Sequence, residues 1–313
     1  MTSKVQTKMK DCCPVLRFLC LLLFNVVGFT EPAHAELLKI ATYNVENYGL
    51  ADRMTEAGYR QDYPKPEPEK RALREVIRAL GADVLVIQEM GGRPYLDELR
   101  RDLKGERCDY AFAELAVAAD ADRHLAILAR RPLKAVTTHT DLQFTYFGAK
   151  ETVKRGLLEA TFETATGDFT VFVVHLKSRY TDRPDDPMSA VRRAGEATAI
   201  RDRVLKRFPH PAIARFVVLG DCNDSRTSRA LAFLQKRGKT EITTLLPAPD
   251  SRGETWTHSW RKEDSYSRVD HILVSPALIG AVQNRTARIY DGDGVRAASD
   301  HRPVFVVLDF AAK

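Results

Sequence analysis

Phe216-Val217-Val218-Leu219-Gly220-Asp221-Cys222-Asn223-Asp224 is the stretch on which the fold turns. Its apolar, β-branched and aromatic opening reads as a buried strand. The strand reaches a glycine and then plants polar residues at its end. Side chains alternate along a strand, so Asp221 and Asn223 share one face while Cys222 turns to the other. Acidic and amide groups at the mouth of an apolar strand make a poor core and a good cleft lining. The arrangement recurs outward along the chain. Asn44 and Glu46 follow the apolar residues 37–43, and Glu89 follows residues 84–88. His175 ends the apolar run 169–175, and Asp300-His301 precedes the apolar run 304–310.

The remaining elements fit around these strands. Residues 69–80 carry Leu73, Val76, Ile77 and Leu80 on one helical face, with Gly81 as the stop. Residues 188–208 predict a long amphipathic helix and residues 228–236 a short one, ended by Gly238. Residues 125–129, 157–162, 169–175 and 268–275 read as further strands. The turn Ala165-Thr166-Gly167-Asp168 joins two of them as a hairpin. Strands outnumber helices and several connect directly, which argues against a purely parallel sheet. Two packed sheets flanked by helices, an α/β fold, is the expectation.

Residues 1–35 are set apart. Lys4, Lys8 and Lys10 form a basic head, an apolar run follows, and Ala33-His34-Ala35 makes a small-x-small cleavage pattern. The clean apolar stretch is about a dozen residues, short of the roughly 20 that span a bilayer. This predicts a secretory signal peptide over residues 1–35 and a catalytic domain over 36–313. The protein would be exported, periplasmic or secreted, with no stable membrane insertion after cleavage. Cleavage would lower the formal charge from +6 to +4, mildly basic and compatible with a polyanionic substrate. Of the five cysteines, Cys108 and Cys222 would remain. They could pair in one way only, with two buried free thiols as the favoured alternative.

Carboxylates, amides and imidazoles gather here without thiolate pairs. Such hard oxygen donors suit magnesium or manganese, with calcium also compatible, better than zinc. His175 and His301 suit proton transfer or phosphate binding, since an imidazole titrates near neutral pH. Arg155, Lys177 and Arg179 are candidates to supply positive charge to a phosphate ester. His124, His139, His210 and His258 fit no motif and read as ordinary histidines. The arginines of the 188–208 helix read as a solvated face. Plainer roles are open to the site residues as well: Asn44 as a turn residue, residues 221–224 as a cap for the next helix, Asp300-His301 as a surface turn.

The ordered series Ala41-Thr42-Tyr43-Asn44-Val45-Glu46, Ile87-Gln88-Glu89, Val174-His175-Leu176-Lys177-Ser178, Gly220-Asp221-Cys222-Asn223-Asp224, Arg268-Val269-Asp270-His271-Ile272 and Ser299-Asp300-His301-Arg302-Pro303 resembles the endonuclease/exonuclease/phosphatase superfamily. The resemblance spans nearly all of residues 37–310. It implies a four-layer α/β sandwich, two mixed β-sheets flanked by helices, and a metal-dependent phosphoric ester hydrolase. Glu89 would be the principal metal ligand, with Asn44 and Asp300 nearby and Glu46 an outer contributor. Asp221 would bind metal or position the attacking water, and Asn223 would hold the phosphate. His175 and His301 would flank that phosphate, Asp270 orienting His301. Cys222 and His271 depart from the family's pattern, the first where a bulky apolar residue is usual.

The expected activity is therefore a magnesium-type phosphodiesterase, foremost a nuclease acting on nucleic acid. The alternative is a lipid or small-molecule phosphoesterase of sphingomyelinase or inositol-phosphatase kind, for which Tyr146-Phe147 is a candidate aromatic contact. A non-catalytic exported binding protein would have lost ligands, and none is missing. The sequence indicates no partner protein.

Overall fold

The computed structural model describes residues 36–310 apart from 56 and 182. The expected signal segment lies outside them. Among the described residues no helix is long and apolar enough to cross a membrane.

Two six-stranded mixed sheets form the centre. The first runs Arg288–Ile289, Val304–Asp309, Leu37–Tyr48, Val84–Met90, His124–Ala129, Phe112–Ala116. The second runs Thr244–Leu245, Asp270–Val274, Phe216–Asp221, Phe169–His175, Leu157–Phe162, Ala135–His139. Each sheet has one parallel pair near its middle: Leu37–Tyr48 beside Val84–Met90, and Phe169–His175 beside Phe216–Asp221. Both pairs carry their polar residues at the carboxyl end.

Three apolar clusters separate four layers. Ile40, Val86 and Ile127 of the first sheet meet Val171, Leu219 and Ile272 of the second. The outer face of the first sheet packs on helices α1 (Glu67–Leu80) and α2 (Arg93–Gly105) through Leu73, Ile77, Leu96 and Leu103. The outer face of the second packs on α3 (Ala190–Arg207) and α4 (Arg229–Gln235) through Ala197, Ile200, Leu231 and Leu234. The chain is a four-layer α/β sandwich. Its two middle layers are buried on both faces, which is why their strands read as nearly unbroken apolar runs.

Local chemistry sets the element ends. α1 begins two residues earlier than the periodicity indicates, with Pro68 in its first turn where no backbone donor is needed. It ends on Gly81 at φ 59°, the left-handed position that glycine adopts freely. α3 starts at Ala190 rather than 188, because the buried Asp186 accepts the backbone N–H groups of Val191 and Arg192 at 3.1 Å each. α4 is capped by Ser228 Oγ, which accepts from Leu231 N. That role was open to residues 221–224, and they are left for other work. Cys108 and Cys222 are both buried free thiols, in the clusters on opposite outer faces.

Candidate active site

Asp221 is delivered by the Phe216–Asp221 strand, aligned with His175 on one side and Asp270 on the other. Gly220 permits this. At φ 147°, a Cβ there would stand 1.9 Å from the Val174 carbonyl oxygen, so a side chain would drive the two central strands apart. The first sheet supplies Asn44 and Glu89 from its own parallel pair. Glu89 sits at φ 62° where the strand slips register between Ile87 and Met90. Glu46 and Asn47 also have positive φ, at 50° and 53°. Left-handed backbone at non-glycine residues costs of order 1 kcal/mol or more each and persists where surrounding structure enforces it. Here it turns carboxylates toward a common centre.

Asp221 is the hub. Its Oδ2 accepts from Asn44 Nδ2 at 3.0 Å and Asn223 Nδ2 at 3.2 Å, and its Oδ1 accepts from Asn223 N at 2.7 Å. The same Oδ2 lies 3.6 Å from His175 Nε2 and 3.9 Å from His301 Nε2. His175 Nε2 is 3.9 Å from Glu89 Oε1, while Glu89 Oε2 accepts from Asn47 N at 3.0 Å. Asp270 Oδ2 meets His301 Nδ1 at 2.8 Å. His175, Asp221, Asn223, Asp270, His301, Asn44 and Glu89 are thus brought together, and Asp300 adjoins through His301 Nε2 at 4.0 Å from its Oδ1.

The electrostatics divide the two imidazoles. Burial disfavours charge on His301, yet Asp270, Asp300 and Asp221 outweigh it and hold the ring well above its ordinary pKa, as a cation. His175 goes the other way: burial, then the charges of Arg155 and His301, hold it neutral. Asp221 is pushed up to about 7 by burial and by the charge of Asp270. Burial also works against ionised Asp300, but His258 and His301 bring its carboxyl down to about 2.

Around this centre lies a charged rim. Asp300 N donates to Glu46 Oε2 at 3.1 Å, and burial together with Asp300 raises the Glu46 carboxyl. The fully buried Lys65 ammonium stands 3.1 Å from Glu69 and 3.8 Å from Glu46. Arg155 pairs with Asp120 at 2.8 Å. Lys177 donates to Ser178 Oγ at 3.0 Å, and burial with the neighbouring Arg155 lowers its ammonium to about 8.

Three expectations are corrected. His258 is no ordinary histidine: its Nε2 lies 3.5 Å from Asp300 Oδ2 and its ring centroid 4.7 Å from that of His301. Arg193 is not on a solvated face but buried, with Nε 3.0 Å from Asp224. Tyr146 is buried against Asp186, leaving Phe147 alone exposed. Two supporting features went unread in the sequence. Arg302 donates to Asp250 at 2.8 Å and lies 3.4 Å over the Trp256 ring, clamping the segment that leads to His258. The helix α2 was legible from Leu96, Leu99 and Leu103 at three- and four-residue spacing.

The centre fits a divalent cation. Asp270 Oδ1 is buried beside the hub with no hydrogen-bond partner, unmet polarity of the kind a bound group satisfies, and Asp221, Asp270 and His301 bring one donor atom each within 4.8 Å of one another. Glu89, Asp300, Glu46 and Asp221 supply carboxylate oxygens, the donors that hard cations take.

The sequence profile of the Endonuclease/Exonuclease/phosphatase family matches residues 41–301. An endonuclease/exonuclease/phosphatase from Bacteroides vulgatus is similar in structure at TM-score 0.61 and 17% identity, over 87% of this chain and 98% of that one. Human Nocturnin, whose catalytic domain was solved with bound sulfate, matches at 0.58 and 16%, over 89% and 99%. Sphingomyelinase C from Streptomyces griseocarneus matches at 0.56 and 16%, over 87% and 99%. At such identities the likeness speaks for the fold. No curated protein matches by sequence.

Proposed function

This chain belongs to the endonuclease/exonuclease/phosphatase family, whose members are metal-dependent phosphoesterases, and we propose that it is an exported, magnesium-dependent nuclease hydrolysing phosphodiester bonds of nucleic acid. The observation that carries the reading is the Asp221 hub between a neutral His175 and a cationic His301, with Arg155 and Lys177 close enough to depress the protonation of His175. A polyanion meets positive charge beside the reacting centre.

Asp221 would hold the attacking water and take its proton, having an affinity for protons suited to neutral pH. His301, charged and fixed by Asp270, faces the phosphate and stabilises the charge that builds on it. Asn223 presents an amide to the same phosphate, and His175 supplies a neutral imidazole. Glu89, Asn44 and Asp300 would hold the cation, which neutralises charge on a phosphoryl oxygen and on the leaving oxygen.

The lipid or small-molecule reading has its own support: Trp260 and Tyr266 are exposed on the hairpin that carries His258. The test is one panel, the mature protein on plasmid DNA, RNA, sphingomyelin and inositol phosphates, with magnesium and with chelator. DNA or RNA cleavage that EDTA abolishes and magnesium restores supports the nuclease. Cleavage of sphingomyelin without nicking of DNA transfers the proposal to the lipid reading. Undiminished activity in chelator sinks the metal dependence. Amino-terminal sequencing of the exported protein should begin at Glu36.

A further inference from the structure

His258 takes no part in the chemistry above, yet its imidazole is built into the site. It opens the short strand His258–Trp260, which forms a backbone bridge to His301. Ser259 N donates to the Asp300 carbonyl at 2.9 Å, locking the two segments in register. His258 Nε2 then lies 3.5 Å from Asp300 Oδ2, and His301 Nε2 lies 4.0 Å from Asp300 Oδ1. One donor atom from each of the three residues falls within 4.8 Å of the others. Four-coordinate zinc, with bonds of about 2.0–2.1 Å, places neighbouring donors about 3.3 Å apart. Small side-chain rotations close that difference. His301 gives up its Nε2 proton on binding the cation, which therefore competes with its charged, phosphate-facing role; Asp270 at 2.8 Å from Nδ1 keeps the ring oriented, with Nε2 3.9 Å from Asp221 and 4.0 Å from Asp300. A carboxylate behind the ring is the usual backing of a metal-bound histidine.

We propose that His258, Asp300 and His301 hold a divalent transition cation of the zinc class, in a nitrogen-rich position beside the oxygen-rich one formed around Glu89. Two imidazoles and one carboxylate are the donor set that such cations take, whereas magnesium and calcium prefer oxygen alone. The position depends on the geometry of these three residues, not on which ester the protein cleaves.

Cobalt(II) is the probe, because four-coordinate nitrogen-bound cobalt absorbs visible light far more strongly than octahedral oxygen-bound cobalt. The metal-free full-length protein, titrated in excess magnesium, should take up one strongly absorbing equivalent that zinc then displaces. Pulsed electron paramagnetic resonance on the copper(II) form should count two coupled imidazoles. In His258→Phe and His258→Gln the strong band should vanish, the imidazole count should fall to one, and cobalt affinity should drop at least about 10-fold. Circular dichroism checks that each variant is folded. If neither folds, the imidazole count in the wild-type protein decides by itself. Cobalt bound only through oxygen, fewer than two coupled imidazoles in the wild type, or a band that survives in both folded variants overturns the proposal. Failure to cleave any phosphate ester would bear on the nuclease reading and leave this signal untouched.

Discussion

At the scale of single residues, the pairing of Asp270 with His301 is the sharpest commitment. The carboxylate holds the imidazole in one orientation and in its charged form through a 2.8 Å contact. Loss of a positioned acid–base group typically lowers rate about 10²–10⁴-fold, and residues acting as a unit are non-additive. Asp270→Ala should therefore lower kcat substantially, His301→Ala at least as much, and the double variant should resemble His301→Ala alone. Losses that multiply would separate the two. Asp221 yields a second prediction, about stability. Its carboxyl ionises near 3.8 in an unfolded chain but near 7 in the folded one, so between those values the folded state holds the extra proton. Stability then falls as pH rises through that window, and the burden is full above 7. In the metal-free protein, the Tm of Asp221→Asn relative to wild type should climb from pH 4 to 7 and then level off, on top of a pH-independent loss from the acceptor that Asn44 and Asn223 no longer share. A difference that is constant with pH would mean the carboxyl is not buried in its charged form.

At the scale of elements, Gly220 ties sequence to site. Gly220→Ala sets a Cβ against the Val174 carbonyl at 1.9 Å and should cost about 3 kcal/mol or more. Thermal denaturation measures that, and kcat should fall with it, since Asp221 and His175 lose their register. An unchanged Tm would mean the strands part without strain. The same strands explain what was legible. Val84–Met90, Phe169–His175 and Phe216–Asp221 are buried on both faces, so their apolar runs stand out and the polar residues that end them stand out more. His258 was illegible because its strand has three residues, too few to show a period, and its partners lie some forty positions away. The turn of Glu89 into left-handed backbone was hidden because no glycine marks it. The hairpins Leu50–Pro64 and Gln143–Thr152 pair outside the two main sheets; exposed Leu50 and Met54 hide the first, whereas the alternation of Gln143–Tyr146, exposed then buried, was there to be read.

At the scale of the whole molecule, the sandwich stacks two parallel pairs so that their carboxyl ends open at one edge, and Glu89, His175, Asp221, Asp270, Asp300 and His301 of the ordered motifs gather there. Architecture and chemistry were legible together because one arrangement produces both. The substrate is a matter of the surrounding field, which composition describes only as a net charge. Lys177 makes that field testable. Its ammonium, lowered to about 8 by burial and by Arg155, is charged at pH 7 and neutral at pH 9. Binding a phosphate favours the charged form, so above pH 8 association must take up a proton. Affinity for a DNA duplex, measured in chelator so that nothing is cleaved, should then fall by up to about tenfold per pH unit above 8. At pH 7 it should also fall steeply with salt as counterions are released. Lys177→Ala should abolish the pH dependence and lower the salt slope by about one. Arg155→Ala should lower the slope less, because Asp120 at 2.8 Å already neutralises that guanidinium in part. A pH dependence that persists in Lys177→Ala would place the phosphate contact elsewhere, and binding indifferent to salt would remove nucleic acid from consideration.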